Sequence, residues 1–120
     1  MNYDPIFDKW HEECGVFGVF DRTVDVARYV YWGLFALQHR GQESAGIAIT
    51  DGNEVALKKG MGLLTEAIKE LPTLKSHMGT GHVRYSTTGS NNPRNIQPLV
   101  IHYQGGQIAV AHNGNLTNAL

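Results

Sequence analysis

Cys14-Gly15-Val16-Phe17-Gly18-Val19-Phe20 is an apolar run headed by the only cysteine of the chain and bounded by Glu12-Glu13 and Asp21-Arg22. Seven residues of this composition read as a β-strand. Val16, Gly18 and Phe20 alternate with Phe17 and Val19, so both faces are apolar, and the strand is expected at the centre of a sheet, buried on both sides. Residues 1–13, Met1 to Glu13, are polar and acidic and lack core-forming periodicity. They are expected to be a leader that is removed to expose Cys14. One thiol excludes an internal disulfide and a zinc site built on several cysteines. A lone cysteine is ordinarily a small buried apolar residue. Its place at the head of a strand, behind a disposable leader, argues instead for a nucleophile.

Outward from this strand, Val26, Val30, Leu34 and Leu37 recur at helical spacing, with Gly41 as a stop, which predicts a helix over about 25–39. Tyr29, Tyr31, Trp32 and Phe35 widen its stripe, so that helix is expected to be well buried. Ser44 to Thr50 and Glu54 to Lys59 flank Asp51-Gly52-Asn53, a hairpin signal. Thr65 to Leu71 predicts a short helix stopped by Pro72. Gly79 to Ser86 reads as a strand carrying Arg84, and Thr88 to Pro98 as a loop. Leu99 to Tyr103 and Gln107 to Ala111 form a second hairpin across Gly105-Gly106, and Thr117 caps a further helix. Strands this apolar need a partner layer. The chain therefore reads as a leader (1–13) followed by the first part of a larger domain (14–120).

Composition narrows the function classes. Hydrophobic residues make up 42% of the 120, enough for a core. The net charge of −1 and the absence of a basic, aromatic-interleaved run argue against nucleic-acid binding. No apolar stretch approaches the ~20 residues of a membrane span. Residues 1–13 have neither the basic start nor the apolar centre of a secretory signal, so a reducing cytoplasm is expected.

Four segments carry candidate chemistry. The thiolate is the attacking form of cysteine, and a thiol with a reference pKa of about 8.5 needs a base. His39, His82 and His112 are candidates. The alternative is the α-amine of Cys14 itself, freed by cleavage after Glu13, with a pKa of about 7.7–8.0. Arg40, in His39-Arg40-Gly41-Gln42, and Arg84, in Gly81-His82-Val83-Arg84-Tyr85-Ser86-Thr87, each offer a planar fork suited to a carboxylate. Asn113-Gly114 is either a plain turn or a side-chain amide beside a bare backbone N–H, the parts of an oxyanion hole. The histidines show no metal-ligand spacing.

Together, Cys14-Gly15-Val16-Phe17-Gly18, Leu37-Gln38-His39-Arg40-Gly41-Gln42-Glu43-Ser44-Ala45-Gly46, Gly81 to Thr87 and His112-Asn113-Gly114-Asn115-Leu116 resemble the N-terminal glutaminase domain of the amidophosphoribosyltransferase family. The likeness runs from Cys14 to Leu120. It implies an α+β, four-layer αββα N-terminal-nucleophile hydrolase fold, incomplete in this chain. Cys14 would then be the nucleophile and its α-amine the base, with Asn113 and Gly114 forming the oxyanion hole. Arg84, with Tyr85 and Thr87, would hold the glutamine α-carboxylate, and Arg40 would shape the pocket wall. The implied partners are L-glutamine and, through a domain outside this chain, phosphoribosylpyrophosphate, in a homo-oligomer. Mg2+ and a 4Fe-4S cluster are implied only for that outer region. The alternatives are a class II amidotransferase of the glucosamine-6-phosphate synthase type and an inactive isolated segment.

Overall fold

The structure, a computed structural model, describes residues 14–38, 42–85 and 93–113. Its centre is a four-stranded antiparallel sheet in the order β1-β4-β2-β3, built from β1 (Cys14–Phe20), β2 (Gln42–Thr50), β3 (Val55–Met61) and β4 (Met78–Tyr85). A separate hairpin joins β5 (Leu99–Tyr103) to β6 (Gly106–Val110). Two helices accompany them, α1 (Val26–Leu37) and the single turn α2 (Leu64–Ala67).

Helix α1 starts where Asp25, in extended conformation, accepts a hydrogen bond from the Arg28 backbone N–H at 3.3 Å. That satisfies one of the donors a helix N-terminus leaves open. It ends as Gln38 turns extended, its N–H donating to the Leu34 carbonyl at 2.8 Å. Val26, Ala27, Val30 and Leu34 form the buried stripe. They lie on Ala45, Ile47, Ile49 and Val83 of the sheet, with Leu64 and Ile68 closing the same core. The helix sits close because β4 has no side chain at Gly81, where a Cβ would lie 2.6 Å from Leu34 and 2.7 Å from Val30.

Two expectations are corrected here. First, β1 is not central: among the described residues it pairs with β4 alone and forms a sheet edge. Gly15 is buried, while Val16 and Phe20 are exposed. An apolar run with period-two apolarity on both faces specifies strand but not position in the sheet. Second, α1 is buried on one side only. Tyr29, Trp32 and Phe35 are 43%, 55% and 53% exposed, because steps of 100° turn them away from the Val26–Val30–Leu34 stripe. Tyr29 and Trp32 pack edge to face on that outer side, ring centroids 5.4 Å apart.

The β2–β3 hairpin turns at Asp51-Gly52-Asn53 as expected. The Asp51 carboxylate accepts from the Asn53 and Glu54 N–H groups, both at 2.8 Å, and Gly52 takes φ +96°. Helix α2 is shorter than Thr65 to Leu71: it ends at Ala67, with Ile68 as its C-cap, well before Pro72. The loop before β5 contains a 3-10 turn, Pro93–Asn95, and a cis Gln97–Pro98 bond. The Thr117 cap lies outside the described residues.

Residues 96–98 lie on the sheet face opposite α1. Ile96 and Pro98 are buried, and the Lys59 ammonium donates to the Ile96 carbonyl at 2.9 Å. The Gln97 carbonyl rests on Gly46 so closely that a Cβ there would collide with it. Gly46→Ala is therefore expected to destabilise the protein by about 1–3 kcal/mol, since a backbone carbonyl cannot swing aside as a side-chain tip can. Gly18→Ala is the control: its Cβ would lie 3.8 Å from the Gly79 carbonyl, an ordinary contact. Denaturant midpoints of the two variants should separate, with Gly18→Ala near the parent.

Candidate active site

Alternation along the strands sorts the candidate residues onto two faces. Gly15, Val83 and Ala45 belong to the α1 face. Cys14, Arg84 and Ser44 belong to the other. The register places these three in one row: Cys14 pairs with Arg84, and Arg84 with Ser44. Directly opposed residues have Cβ atoms about 4.5–5.5 Å apart, so the Cys14 thiol and the Arg84 side chain rise from adjacent points of one surface. Cys14 and Arg84 are partly buried and Ser44 is buried. The next row on this face holds Val16, His82, Gly46 and Lys59. Residues 96–98 cover Gly46 and Lys59, and His112 covers His82.

His82 is almost wholly buried, and its Nε2 lies 3.1 Å from the His112 carbonyl oxygen. A carbonyl only accepts, so Nε2 carries the proton and donates. Burial pushes the His82 pKa down from 6.5 to about 4, and the nearby His112 and Arg84 charges add to this, against the opposing hydrogen bond to the His112 carbonyl. His82 is thus neutral at physiological pH. It is a weak acceptor for a thiol proton. The His112 N–H in turn donates to the Gln97 side-chain carbonyl at 2.6 Å. Both backbone polar groups of His112 are therefore engaged, and Asn113 follows directly, exposed at the end of this anchored segment.

Tyr85 differs from the expectation. With period two along β4 it faces α1, packs on the core and donates its hydroxyl to the Leu37 carbonyl at 3.0 Å. Its ring ties the end of α1 to β4 rather than facing the Cys14–Arg84 surface. Arg40, Thr87, Gly114 and the candidate base His39 lie outside the described residues. Ser44 and Gln97 carry no role in the sequence reading: Ser44 stands only within the motif Leu37 to Gly46 and at the start of a strand, and Gln97 reads as loop. The buried hydroxyl opposite Arg84 is visible only once the register is known.

No three His, Cys, Asp or Glu side chains converge on a metal-holding geometry among the described residues. A 4Fe-4S cluster takes four thiolates, and the chain has one cysteine. These residues do not fit either implied group. No helix among the described residues is long and apolar enough to cross a membrane.

A model of the class II glutamine amidotransferases matches residues 33–120. The chain belongs to that family. Its members similar to this chain include the amidophosphoribosyltransferases of Methanothermobacter thermautotrophicus, 46% identical over 113 residues, and Synechococcus elongatus, 48% identical over 115 residues. These alignments take in 91% and 94% of this chain but 24% and 23% of the relatives. The chain thus spans about a quarter of the length of the curated relatives it matches. Among solved structures, one described as the allosteric regulatory enzyme of purine biosynthesis superposes with a TM-score of 0.77 at 47% identity. It covers 87% of this chain and 23% of that one. The glutamine phosphoribosylpyrophosphate amidotransferase of B. subtilis, complexed with ADP and GMP, gives 0.75 at 45%, covering 86% and 22%. The fold of this class II amidotransferase chain is accordingly the α+β N-terminal-nucleophile fold, represented in part among the described residues by a four-stranded sheet, a two-stranded hairpin and the helix packed on the larger sheet.

Proposed function

We propose that this chain is the glutamine-hydrolysing part of an amidophosphoribosyltransferase. The observation that carries the reading is the row Cys14–Arg84, a lone thiol in register with an arginine on one sheet face. In this reading Arg84 holds the glutamine α-carboxylate, and the substrate extends along the face until its side-chain amide meets Cys14. The thiolate attacks the amide carbon. The oxyanion that forms is met by the Asn113 amide and the Gly114 N–H, ammonia leaves with a proton from the base, and water hydrolyses the thioester to glutamate. The base is the Cys14 α-amine, freed by loss of residues 1–13. The low basicity of His82, whose pKa burial pushes down to about 4 and whose Nε2–H is committed to the His112 carbonyl, supports this choice over that histidine. The ammonia then displaces pyrophosphate from phosphoribosylpyrophosphate, giving 5-phosphoribosylamine, at a domain of the full-length protein that holds any Mg2+ or cluster.

The full-length protein tests this directly. Supplied with glutamine and phosphoribosylpyrophosphate, it should release glutamate and pyrophosphate in equal amounts. Release of glutamate coupled only to a sugar-phosphate acceptor would instead assign the synthase-type alternative. Within the glutaminase site, Arg84→Lys should raise KM for glutamine, because a point charge cannot reproduce a two-pronged carboxylate contact. A lost charged hydrogen bond costs roughly 1.5–3 kcal/mol, so kcat/KM for glutamine should fall about ten- to a hundredfold. Steady-state kinetics with glutamine varied, and ammonia-dependent synthesis as control, check this.

A further inference from the structure

His82 and Gln97 hold the two backbone polar groups of one residue, from two different elements. His82 stands on β4, two residues from Arg84 and on the same face. Its Nε2–H reaches the His112 carbonyl at 3.1 Å, and the Gln97 side-chain oxygen receives the His112 N–H at 2.6 Å. Gln97 is itself seated on the sheet, its own carbonyl against Gly46 and its neighbours Ile96 and Pro98 buried. The peptide that leads into Asn113 is thereby referenced twice to the sheet that carries Cys14 and Arg84. We propose that His82 and Gln97 are positioning residues for glutamine hydrolysis, which clamp His112 so that Asn113 is held at a set height above the Cys14 row. The proposal rests on the glutaminase reading above and adds to it two residues that touch no substrate.

The physical ground is the sensitivity of an oxyanion donor to placement. Such a donor acts at hydrogen-bond distance from the developing charge, and a displacement of about 1 Å can cost on the order of a hundredfold in rate. The ground-state binding of glutamine, through Arg84, depends on β4 and not on the clamp. Loosening the clamp should thus lower kcat and leave KM nearly alone.

The experiment compares His82→Leu, which removes the donor at similar bulk, with His82→Gln, whose side-chain amide can still donate to the His112 carbonyl. Gln97→Met and Gln97→Glu form a second pair, removing and keeping the acceptor, and decide the matter if His82→Leu does not fold. All are made in the full-length protein. Competent sites are counted by stoichiometric labelling with a diazoketone analogue of glutamine, so kcat refers to intact sites only. His82→Leu and Gln97→Met should each lower kcat per site about ten- to a hundredfold with KM within about twofold, while His82→Gln and Gln97→Glu recover most of it. Inactivation by iodoacetamide, a displacement that forms no oxyanion, should proceed at the parent rate in all four. Unchanged kcat per site in the Leu and Met variants, or no recovery by Gln and Glu, overturns the proposal, as does a parallel fall in iodoacetamide reactivity. Failure of the glutaminase reading itself shows elsewhere, as glutamine-dependent activity that survives Cys14→Ala.

Discussion

Cys14→Ala should abolish glutamine-dependent synthesis in the full-length protein and leave ammonia-dependent synthesis close to the parent. The two activities separate because only glutamine hydrolysis passes through a covalent acyl intermediate, and only that step requires a thiol. The substitution is mild for the fold. Cys14 is the first residue of β1, is only partly buried and pairs through its backbone with Arg84. Alanine keeps those backbone bonds and removes one sulfur atom. Expected glutamine-dependent turnover is below detection, a loss of at least several thousandfold, since deleting a nucleophile that acts as part of a catalytic unit costs up to about 10⁶-fold in kcat. Parallel assays with glutamine and with ammonium salts at the same phosphoribosylpyrophosphate concentration provide the measurement. Equal loss of both activities would make Cys14 a structural residue and remove the basis of the reading.

The parts of this site differ in how far they could be read from residues alone. Cys14 was legible because a solitary thiol at the head of a strand is unusual, and Arg84 because it interrupts an apolar strand between glycine and hydroxyl residues. Their adjacency was not. It depends on β1 running antiparallel to β4 with Cys14 opposite Arg84, across some seventy residues of chain, and local periodicity carries no information about such pairing. The same limit explains β1 itself, whose apolar alternation specified a strand but not its position beside β4 alone among the described residues. Tyr85 shows the complementary point: it adjoins Arg84 in sequence, yet one step along a strand turns a side chain to the opposite face, where its hydroxyl holds the end of α1. In α1, the aromatic residues suggested a well buried helix, although their angular positions place Tyr29, Trp32 and Phe35 away from the Val26–Val30–Leu34 stripe. His82 was legible only as a candidate base. Its burial and its bond to the His112 carbonyl, both products of tertiary packing, make it a fixed donor instead.

Asn113→Ala should lower kcat for glutamine by on the order of a hundredfold or more and leave KM within a few-fold of the parent. An oxyanion donor is worth little to the neutral ground-state amide and much to the negative oxygen of the tetrahedral intermediate, so its removal acts on the transition state. The structure gives this prediction a particular form. His112, immediately before Asn113, is held at both its N–H and its carbonyl, so the backbone leading into residue 113 is already set by His82 and Gln97. Asn113 is exposed, and truncating its side chain to a methyl group opens no buried cavity. The loss should therefore fall on chemistry and not on stability. Thermal unfolding of Asn113→Ala should match the parent, and Arg84→Lys should show the opposite kinetic pattern, with the larger change in KM. If Asn113→Ala raises KM and spares kcat, Asn113-Gly114 is a turn that contacts bound glutamine and the oxyanion is stabilised by other groups. A clean fall in kcat, with ammonia-dependent synthesis intact, places the Asn113 amide at the developing negative charge.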